Sequence, residues 1–309
     1  MKILCLFSGQ GYHDDNLFHF FQENQEASIF LQSLSSTIKL DFLKKNWTLK
    51  SPYQAQLIIS AFQLCIFNLL APLLTSHQSN LAGYSLGEVS AFLASIGATP
   101  QEWYQTISFR TRLMTSIIQD KDNFEYDLLS IRGPFVLEDI QKSCKQYQCA
   151  IAIINSEQHL ILAGQITDLK QLLKKLSQHY PIQHLFLSIH VPSHTAFYAN
   201  KKGLFYQQLD SLFSKPLRYP ILSPLQLCII YNAREEKNLL DQELYTALQW
   251  SKLCHLIPDY QYDLILDLGP SDAMSKQLKM INIDIPIFTL SNYKSITGAL
   301  TAFKNLLNC

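Results

Sequence analysis

Short apolar runs alternate with longer segments of helical periodicity in the first part of the 309-residue chain. Ile3–Phe7 is an apolar run of strand length, Asn80–Gly83 is predicted as a short strand, and apolar positions recur at helical spacing over Ser51–Leu70. Further helices are predicted over Glu88–Ser95 and Thr99–Gln119, the latter opening on a Thr-Pro pair. Strands that alternate with helices predict an α/β fold with a mainly parallel sheet.

The middle of the chain has a different pattern. Strands are predicted at residues 128–131, 150–154, 160–163 and 184–189, and helices at residues 136–147 and 168–178. This βαββαβ order is that of the ferredoxin-like split unit. We therefore predict a ferredoxin-like subdomain (127–189) inserted into a large α/β-hydrolase-like domain (1–126 and 190–309).

The last third of the chain returns to longer elements. Helical periodicity extends over Ser193–Phe213 and Glu243–Ile257, and a strand is predicted at Leu264–Leu268, before Gly269-Pro270. These elements are expected to complete the large domain.

Charge and composition exclude several classes of function. The 25 basic and 25 acidic side chains cancel, and a nucleic-acid protein usually has a clustered basic excess. The apolar stretch 57–74 is interrupted by polar residues and a proline, so no membrane span is expected. Seven dispersed cysteines without a Cys-x-x-Cys pair indicate reduced thiols in a cytoplasmic protein and no zinc site. No phosphate loop, metal-ligand set or dinucleotide fingerprint is found, so no bound cofactor is expected.

Gly83-Tyr84-Ser85-Leu86-Gly87 fits the pattern Gly-x-Ser-x-Gly between a predicted strand and a predicted helix. A sharp strand-to-helix turn needs small residues on both sides of the serine and leaves its hydroxyl exposed at a helix N-terminus. Ser85 is therefore the candidate nucleophile. His194, which lies between a predicted strand and a predicted helix, is the candidate base among nine histidines.

Ordered motifs along nearly the whole chain resemble the malonyl-CoA:acyl-carrier-protein transacylase family. Phe7–Gly11 is similar to its Phe-Pro-Gly-Gln-Gly, with Ser8 for proline, and Gly83–Glu88 to its Gly-His-Ser-Leu-Gly-Glu, with Tyr84 for histidine. Val191–His194 matches the segment that carries the family's catalytic histidine. The other similar segments are Tyr53–Gln56, Arg110–Met114, Asn155–Gln158, Ile161–Gly164, Leu248–Trp250 and Leu268–Pro270.

This resemblance implies a malonyl-serine intermediate. Ser85 would attack malonyl-CoA with His194 as base, and the phosphopantetheine thiol of an acyl carrier protein would then take the malonyl group. The resemblance assigns the oxyanion hole to the backbone N–H groups of Gln10 and Leu86. It also expects a backbone carbonyl, that of Gln249, to orient the histidine.

The resemblance further implies that Arg110 binds the malonyl carboxylate, since a guanidinium can donate two parallel hydrogen bonds to it. Arg112 lies close enough in sequence to compete for this assignment. Gln56 and Asn155 are expected to line the pocket or to support it. Ser193, beside the histidine, favours malonyl over methylmalonyl.

Alternative functions share this chemistry. The chain could be the acyltransferase subunit of malonate decarboxylase or a trans-acting polyketide loader, or a serine hydrolase that clears acyl groups from carrier proteins. Arg110 argues against the hydrolase, and an intact Ser85 and His194 argue against a silent carrier-binding module. An acidic carrier protein is expected to dock near Lys170, Lys174, Lys201 and Lys202, although these lysines could equally be solvated helix faces.

Overall fold

The larger of two sheets forms the centre of the protein. The computed structural model describes residues 1–11, 14, 16–44, 46–119 and 125–308. In this sheet β1 (Lys2–Phe7), β2 (Gln78–Gly83), β7 (Ile221–Leu222), β8 (Ile229–Ile230), β9 (Leu264–Asp267) and β10 (Ile287–Thr289) are arranged in the order β10-β9-β1-β2-β7-β8. Only the β7–β8 pair is antiparallel. The predicted α/β fold with a mainly parallel sheet is confirmed.

Nine helices of the described chain accompany this sheet. They are α1 (Gln25–Ser35), α2 (Pro52–Leu74), α3 (Leu86–Ile96), α4 (Pro100–Gln119), α7 (Leu204–Leu212), α8 (Ala233–Glu243), α9 (Trp250–Leu256), α10 (Ala273–Met280) and α11 (Ile296–Leu307). The strands β1, β2 and β9 are buried almost throughout, which explains why β1 and β9 are largely apolar in sequence.

The helix α2 is long and apolar enough to cross a membrane by length and composition, and it is the one such helix among the described residues. It nevertheless lies in the interior of the fold, where 78% of its most apolar window is buried. It begins at Ser51, whose side chain accepts a hydrogen bond from the Gln54 N–H, and Pro52 occupies the first turn. The helix packs against α1, α3 and α4.

The smaller sheet is built from the middle of the chain. Its elements are β3 (Tyr126–Arg132), α5 (Leu137–Gln146), β4 (Ala150–Ser156), β5 (His159–Gln165), α6 (Ile166–Leu176) and β6 (Gln183–Phe186). The strands are antiparallel where they pair, in the order β4-β5-β3-β6. The helices α5 and α6 cover it with an apolar cluster separate from that of the larger sheet.

The chain returns to the large sheet earlier than the predicted strand 184–189 implied. β6 ends at Phe186, because the buried carboxylate of Asp127 accepts hydrogen bonds from the N–H groups of Ser188, Ile189 and His190 at 3.1, 2.9 and 3.4 Å. Ser188 and His190 have positive φ angles, which bend the segment away from the sheet.

Two predicted helices in the last third are only partly right. Instead of one helix over Ser193–Phe213, the chain forms a 3₁₀ helix at Ala196–Lys201 and then α7, with the break at Gly203, whose φ is 84°. Instead of a helix over Glu243–Ile257, α8 ends at Glu243 and α9 begins at Trp250. The segment between them is not helical because Leu248 pairs with the backbone of β4.

Candidate active site

A sharp turn between β2 and α3 presents Ser85. The residue has φ 57° and ψ −113°, a strained backbone for a residue with a side chain. A Cβ on Gly83 would collide with the backbone of Glu88, and one on Gly87 would collide with the carbonyl of Phe7. Glycine is therefore required on both sides of Ser85, as the Gly-x-Ser-x-Gly pattern predicts.

His194 lies directly against this serine. Its Nε2 is 2.7 Å from the Ser85 Oγ, and its Nδ1 is 2.7 Å from the main-chain carbonyl oxygen of Glu243. The His194 N–H also donates to the Leu244 carbonyl at 3.0 Å, so the end of α8 holds both the backbone and the ring. The imidazole is buried, with 1% of its surface exposed.

The hydrogen bonds of His194 determine its tautomer. A carbonyl oxygen can only accept, so Nδ1 carries the proton and Nε2 has the free electron pair that can accept the Ser85 hydroxyl proton. Burial, and then the nearby charge of Arg110, lower the pKa of His194 to about 3, which the hydrogen bond to Glu243 opposes. The ring is therefore a neutral acceptor near pH 7.

The expectation that Gln249 orients the histidine is wrong. Glu243 supplies the carbonyl, because it is the last residue of α8 and the final carbonyl groups of a helix lack partners within the helix. Gln249 precedes α9 and is half-buried, and the neighbouring Leu248 hydrogen-bonds to β4. The mistaken helix over Glu243–Ile257 concealed the helix end at Glu243.

Arg110 reaches the same site from α4. Its Nη2 donates to the Ser85 Oγ at 3.3 Å and its Nη1 donates to the Gln56 Oε1 at 2.7 Å. Burial lowers the pKa of Arg110, and the nearby Glu243 carboxyl opposes this shift. Arg112 is exposed, and its Nε donates to the Ser108 carbonyl on its own helix. Of the two arginines, Arg110 is the one beside the serine.

The loop after β1 brings Gln10 to the site. The hydroxyl of Ser8 donates to the Gly269 carbonyl at 2.5 Å, and the side chain of Gln63 donates to the carbonyls of Ser8 and Gly269 at 2.7 and 3.0 Å. These bonds fix the loop beside the turn of Ser85. Leu86 is the first residue of α3, where backbone N–H groups have no intrahelical acceptor.

A cavity of about 90 Å³ joins these groups. Its polar lining consists of Gln10, Tyr84, Ser85, Arg110, Ser193 and His194. Its apolar lining consists of Leu86, Met114, Leu128, Ile153, Ile161, Leu187 and Ile189. The apolar residues come from α3, α4, the smaller sheet and the returning segment, so the cavity lies where the smaller sheet meets the turn of Ser85.

Tyr84 ties this turn to the smaller sheet. Its hydroxyl donates to the Asn155 Oδ1 on β4 at 3.0 Å, and its ring packs edge-on against Trp250 at 5.1 Å. Asn155 does not line the cavity but supports it through this bond. Gln56 likewise acts through a neighbour, since its Oε1 holds Arg110.

Three buried glutamates beneath the turn were not predicted as site residues. Glu88 follows Ser85 in α3, and Glu236 and Glu243 lie on α8. Each is at most 1% exposed. Their signal in the sequence is the seven-residue spacing of Glu236 and Glu243, which places both on the face of α8 that buries Leu240.

Among the described residues, no group of three or more His, Cys, Asp or Glu side chains could hold a metal ion. The six cysteines within that part of the chain carry free thiols.

Similarity to known proteins extends over nearly the whole chain. No family model matches the chain. The malonyl CoA-acyl carrier protein transacylase of Buchnera aphidicola subsp. Schizaphis graminum is 25% identical over 317 residues, which cover 97% of this chain and 98% of that relative. The similarity to malonyl-CoA:acyl-carrier-protein transacylases therefore extends over nearly the whole chain.

Solved structures of malonyl transacylases have the same fold. The malonyl-CoA:acyl carrier protein transacylase of Helicobacter pylori superposes with a TM-score of 0.87 at 22% identity and covers 99% of this chain and 98% of its own. A malonyl-transacylase in complex with its type II PKS acyl-carrier protein superposes with a TM-score of 0.84 at 18% identity, covering 99% and 100%. Within the family pattern, Ser8 and Tyr84 are departures of this chain, and both make the side-chain hydrogen bonds described above.

Proposed function

We propose that this protein transfers a malonyl group from malonyl-CoA to the phosphopantetheine thiol of an acyl carrier protein. The observation that carries the proposal is the convergence of Ser85, His194 and Arg110 at one cavity. The serine and histidine can form and discharge an acyl-enzyme, and the arginine can bind a second carboxylate. The known relatives supply the names of the substrate and the carrier.

The first half-reaction begins at the Ser85 hydroxyl. Its oxygen attacks the thioester carbonyl while its proton passes to the Nε2 of His194, and the resulting imidazolium is stabilised by the Glu243 carbonyl at Nδ1. The tetrahedral intermediate then expels the coenzyme A thiolate, which takes the proton from Nε2. In the second half-reaction the carrier thiol gives its proton to Nε2 and attacks the malonyl-serine ester. The second tetrahedral intermediate expels the Ser85 oxygen, which takes the proton back from Nε2 as the malonyl-carrier thioester leaves.

The oxyanion of each tetrahedral intermediate is proposed to bind the backbone N–H groups of Gln10 and Leu86. The hydrogen bonds of Ser8 and Gln63 hold the loop of Gln10 before any charge develops. The N-terminus of α3 adds its positive dipole end at Leu86. Fixed donors of this kind stabilise the developing charge without reorganisation.

Arg110 is proposed to select a dicarboxylic acyl group. Its guanidinium is buried and held by Gln56, so it is oriented before the substrate arrives. The cavity of about 90 Å³ is small and suits a short acyl group. Asn155 is proposed to maintain the cavity through Tyr84.

The division of the chain is also part of this proposal. We interpret residues 127–189 as a ferredoxin-like subdomain, because the order β4-β5-β3-β6 is that of a split βαβ unit. Residues 1–126 and 190–309 would form the α/β-hydrolase-like domain, since the turn of Ser85 is of the nucleophile-elbow type. The chain would pass between the two units at residues 126–127 and again at 189–190. Asp127 joins these two positions through its hydrogen bonds to the N–H groups of residues 188–190.

The acidic carrier protein is proposed to dock beside the cavity through Lys170, Lys174, Lys201 and Lys202. Lys170 and Lys174 project from α6, and Lys202 is exposed near the segment that follows His194. Charge-reversal variants should raise the KM for carrier protein and leave the KM for malonyl-CoA unchanged. An unchanged KM for carrier protein would remove this docking site. The cytoplasmic location stays a prediction of the sequence.

Intact-protein mass spectrometry after mixing with malonyl-CoA, and separately with acetyl-CoA, tests the central proposal. A malonyl adduct is expected on the wild type and not on Ser85→Ala. Addition of a carrier protein with a free phosphopantetheine thiol then separates transfer from hydrolysis. A transferase releases the malonyl group to the carrier thiol faster than to water. The absence of an adduct with either thioester would reject the proposal.

A further inference from the structure

Three buried carboxyl groups, those of Glu88, Glu236 and Glu243, lie close together beneath Ser85. The Glu88 carboxyl lies close enough to the carboxyls of Glu236 and Glu243 for their charges to act on it. Both oxygens of Glu88 and Glu236 and one oxygen of Glu243 are buried without a donor among the described groups. Carboxylates so placed repel one another and are poorly solvated, so the cluster must retain protons that the groups share.

Glu243 is the member of this cluster that faces the active site. Its carboxyl lies near the Ser85 backbone N–H, and its own main-chain carbonyl holds His194. The titratable and charged groups around it are Glu88 on α3, Glu236 and the neighbouring Glu235 on α8, Arg110 on α4, His194 on its loop, and the phenol of Tyr84.

Arg110 is the cation whose charge acts on Glu243. Lys237, a basic side chain on α8 beside Glu236, pairs with Asp210 instead. In the empty site one guanidinium thus balances one carboxylate, namely that of Glu243. A bound malonyl group brings a second carboxylate to the same guanidinium.

We propose that binding of the malonyl group is coupled to the uptake of one proton by Glu243. This inference rests on the proposed function, because it requires the substrate carboxylate at Arg110. Once that carboxylate neutralises Arg110, the ionised form of Glu243 loses its counter-charge inside a buried cluster. Glu243 then becomes protonated and shares its proton with Glu88. Glu243 acts through Arg110 and is a positioning residue rather than a catalytic one.

The direction of the pH effect follows from the charges. Burial raises the pKa of Glu243 to about 7, against the lowering effect of Arg110, so in the free enzyme the group titrates near neutral pH. Above this pKa, Glu243 must therefore take up a proton from the solvent when malonyl-CoA binds. The affinity for malonyl-CoA is expected to fall by up to about tenfold per pH unit above the pKa, whereas the affinity for acetyl-CoA is not.

Calorimetric titration of Ser85→Ala measures the proton directly. Malonyl-CoA and acetyl-CoA are each titrated at pH 8 in two buffers that differ in ionisation enthalpy, and the dependence of the observed heat on the buffer gives the number of protons taken up. Subtracting the acetyl-CoA value removes the contribution of the coenzyme A phosphates. A difference of about one proton is expected, and a difference of zero would overturn the inference.

Glu243→Gln in the same background assigns the proton to its residue. The amide cannot titrate but can still donate to Glu88, and the main-chain carbonyl that holds His194 is retained. Proton uptake and the pH dependence of malonyl-CoA affinity should both disappear. Glu102→Gln is the control, because Glu102 lies on the helix of Arg110 but pairs with Lys215 outside the cluster. This variant should keep both the proton uptake and the pH dependence of the affinity. If Glu243→Gln does not fold, the measurement on Ser85→Ala alone still decides whether a proton is taken up.

Steady-state kinetics at several pH values distinguish this inference from the proposed function. In the wild type the KM for malonyl-CoA should rise above pH 7 while kcat stays level, and in Glu243→Gln the KM should be level as well. A malonyl adduct that forms with a pH-independent KM would remove the role of Glu243 and leave the transferase intact. The absence of any adduct on the wild type would remove both.

Discussion

The Nε2 of His194 lies 2.7 Å from the Oγ of Ser85, and a main-chain carbonyl rather than a carboxylate occupies the far side of the imidazole. The carbonyl of Glu243 fixes the tautomer that a general base needs, but it brings no full negative charge to the ring. The histidine is therefore oriented by the end of a helix. A substitution of the Glu243 side chain leaves that orientation in place.

His194→Ala should slow formation of the malonyl-enzyme by roughly 10²–10⁴-fold, because the serine loses the group that accepts its proton. The adduct should still form after long incubation, since Arg110 and the oxyanion donors remain. Rapid-quench mass spectrometry gives the rate. His190→Ala is the control, because His190 is exposed and does not line the cavity. An equal loss in both variants would contradict the assignment.

Acidic pH should leave the acylation step active. Burial and Arg110 lower the pKa of His194 to about 3, so the neutral base persists well below pH 6.5, the ordinary pKa of histidine. The rate of adduct formation at saturating malonyl-CoA should be flat between pH 7 and pH 5. A decline with a midpoint near pH 6.5 would mean that the imidazole titrates as an exposed histidine does.

Arg110→Ala should lower kcat/KM for malonyl-CoA by roughly 100-fold, the effect of losing hydrogen bonds to a charged group, and should change kcat/KM for acetyl-CoA far less. Arg112→Ala is the matched control, since Arg112 lies on the same helix but is exposed. Initial rates with both thioesters provide the measurement. An equal loss for acetyl-CoA would give Arg110 a structural role.

The sequence was sufficient for elements whose pattern is strong and local. The turn of Ser85 could be predicted because glycine is needed on both sides of it, and the small sheet because its strands and helices alternate clearly. The helix α8 was missed because charged side chains cover most of its surface and Leu239 and Leu240 alone mark its apolar face. Its N-terminus carried a usable signal, since Asn232 caps the N–H groups of Arg234 and Glu235.

Contacts between distant segments could not be derived from any local pattern. The carbonyl of Glu243 and the imidazole of His194 are 49 residues apart, and nothing in either segment indicates the pairing. The bond between Tyr84 and Asn155 likewise depends on how the small sheet lies against the turn of Ser85. Resemblance to a family brought Ser85, His194 and Arg110 together in advance, but it placed the orienting carbonyl at Gln249.

The bond between Tyr84 and Asn155 should be worth about 0.5–1.5 kcal/mol to the stability of the protein. A double-mutant cycle with Tyr84→Phe and Asn155→Ala, read from urea unfolding, isolates this coupling from the packing of the ring against Trp250. Tyr84→His introduces the residue that is usual in the family and tests acyl choice. We expect a larger cavity and a smaller preference for malonyl-CoA over methylmalonyl-CoA. A coupling energy of zero would show that the bond does not hold the turn against the small sheet.

Glu236→Gln should stabilise the protein at pH 8 more than at pH 5. Burial, and then the charge of Glu243, raise the pKa of Glu236 well above its ordinary value. The folded state therefore holds this proton more tightly than the unfolded chain does. The contribution of Glu236 to the free energy of unfolding falls as pH rises above about 4.5. Glutamine removes that fall, and a gain of at least about 1 kcal/mol is expected at pH 8, since each pKa unit corresponds to about 1.4 kcal/mol.

Chemical denaturation at the two pH values measures this difference. Glu235→Gln is the control, because Glu235 is the exposed neighbour on the same helix and its carboxylate is solvated in both states. It should change the pH dependence of the free energy of unfolding far less than Glu236→Gln does, because the charge of Glu235 acts on the pKa of Glu236 less than burial and Glu243 do. If Glu236→Gln leaves the pH dependence unchanged, Glu236 is ionised in the folded protein at no cost. Glu236 would then share no proton with Glu88.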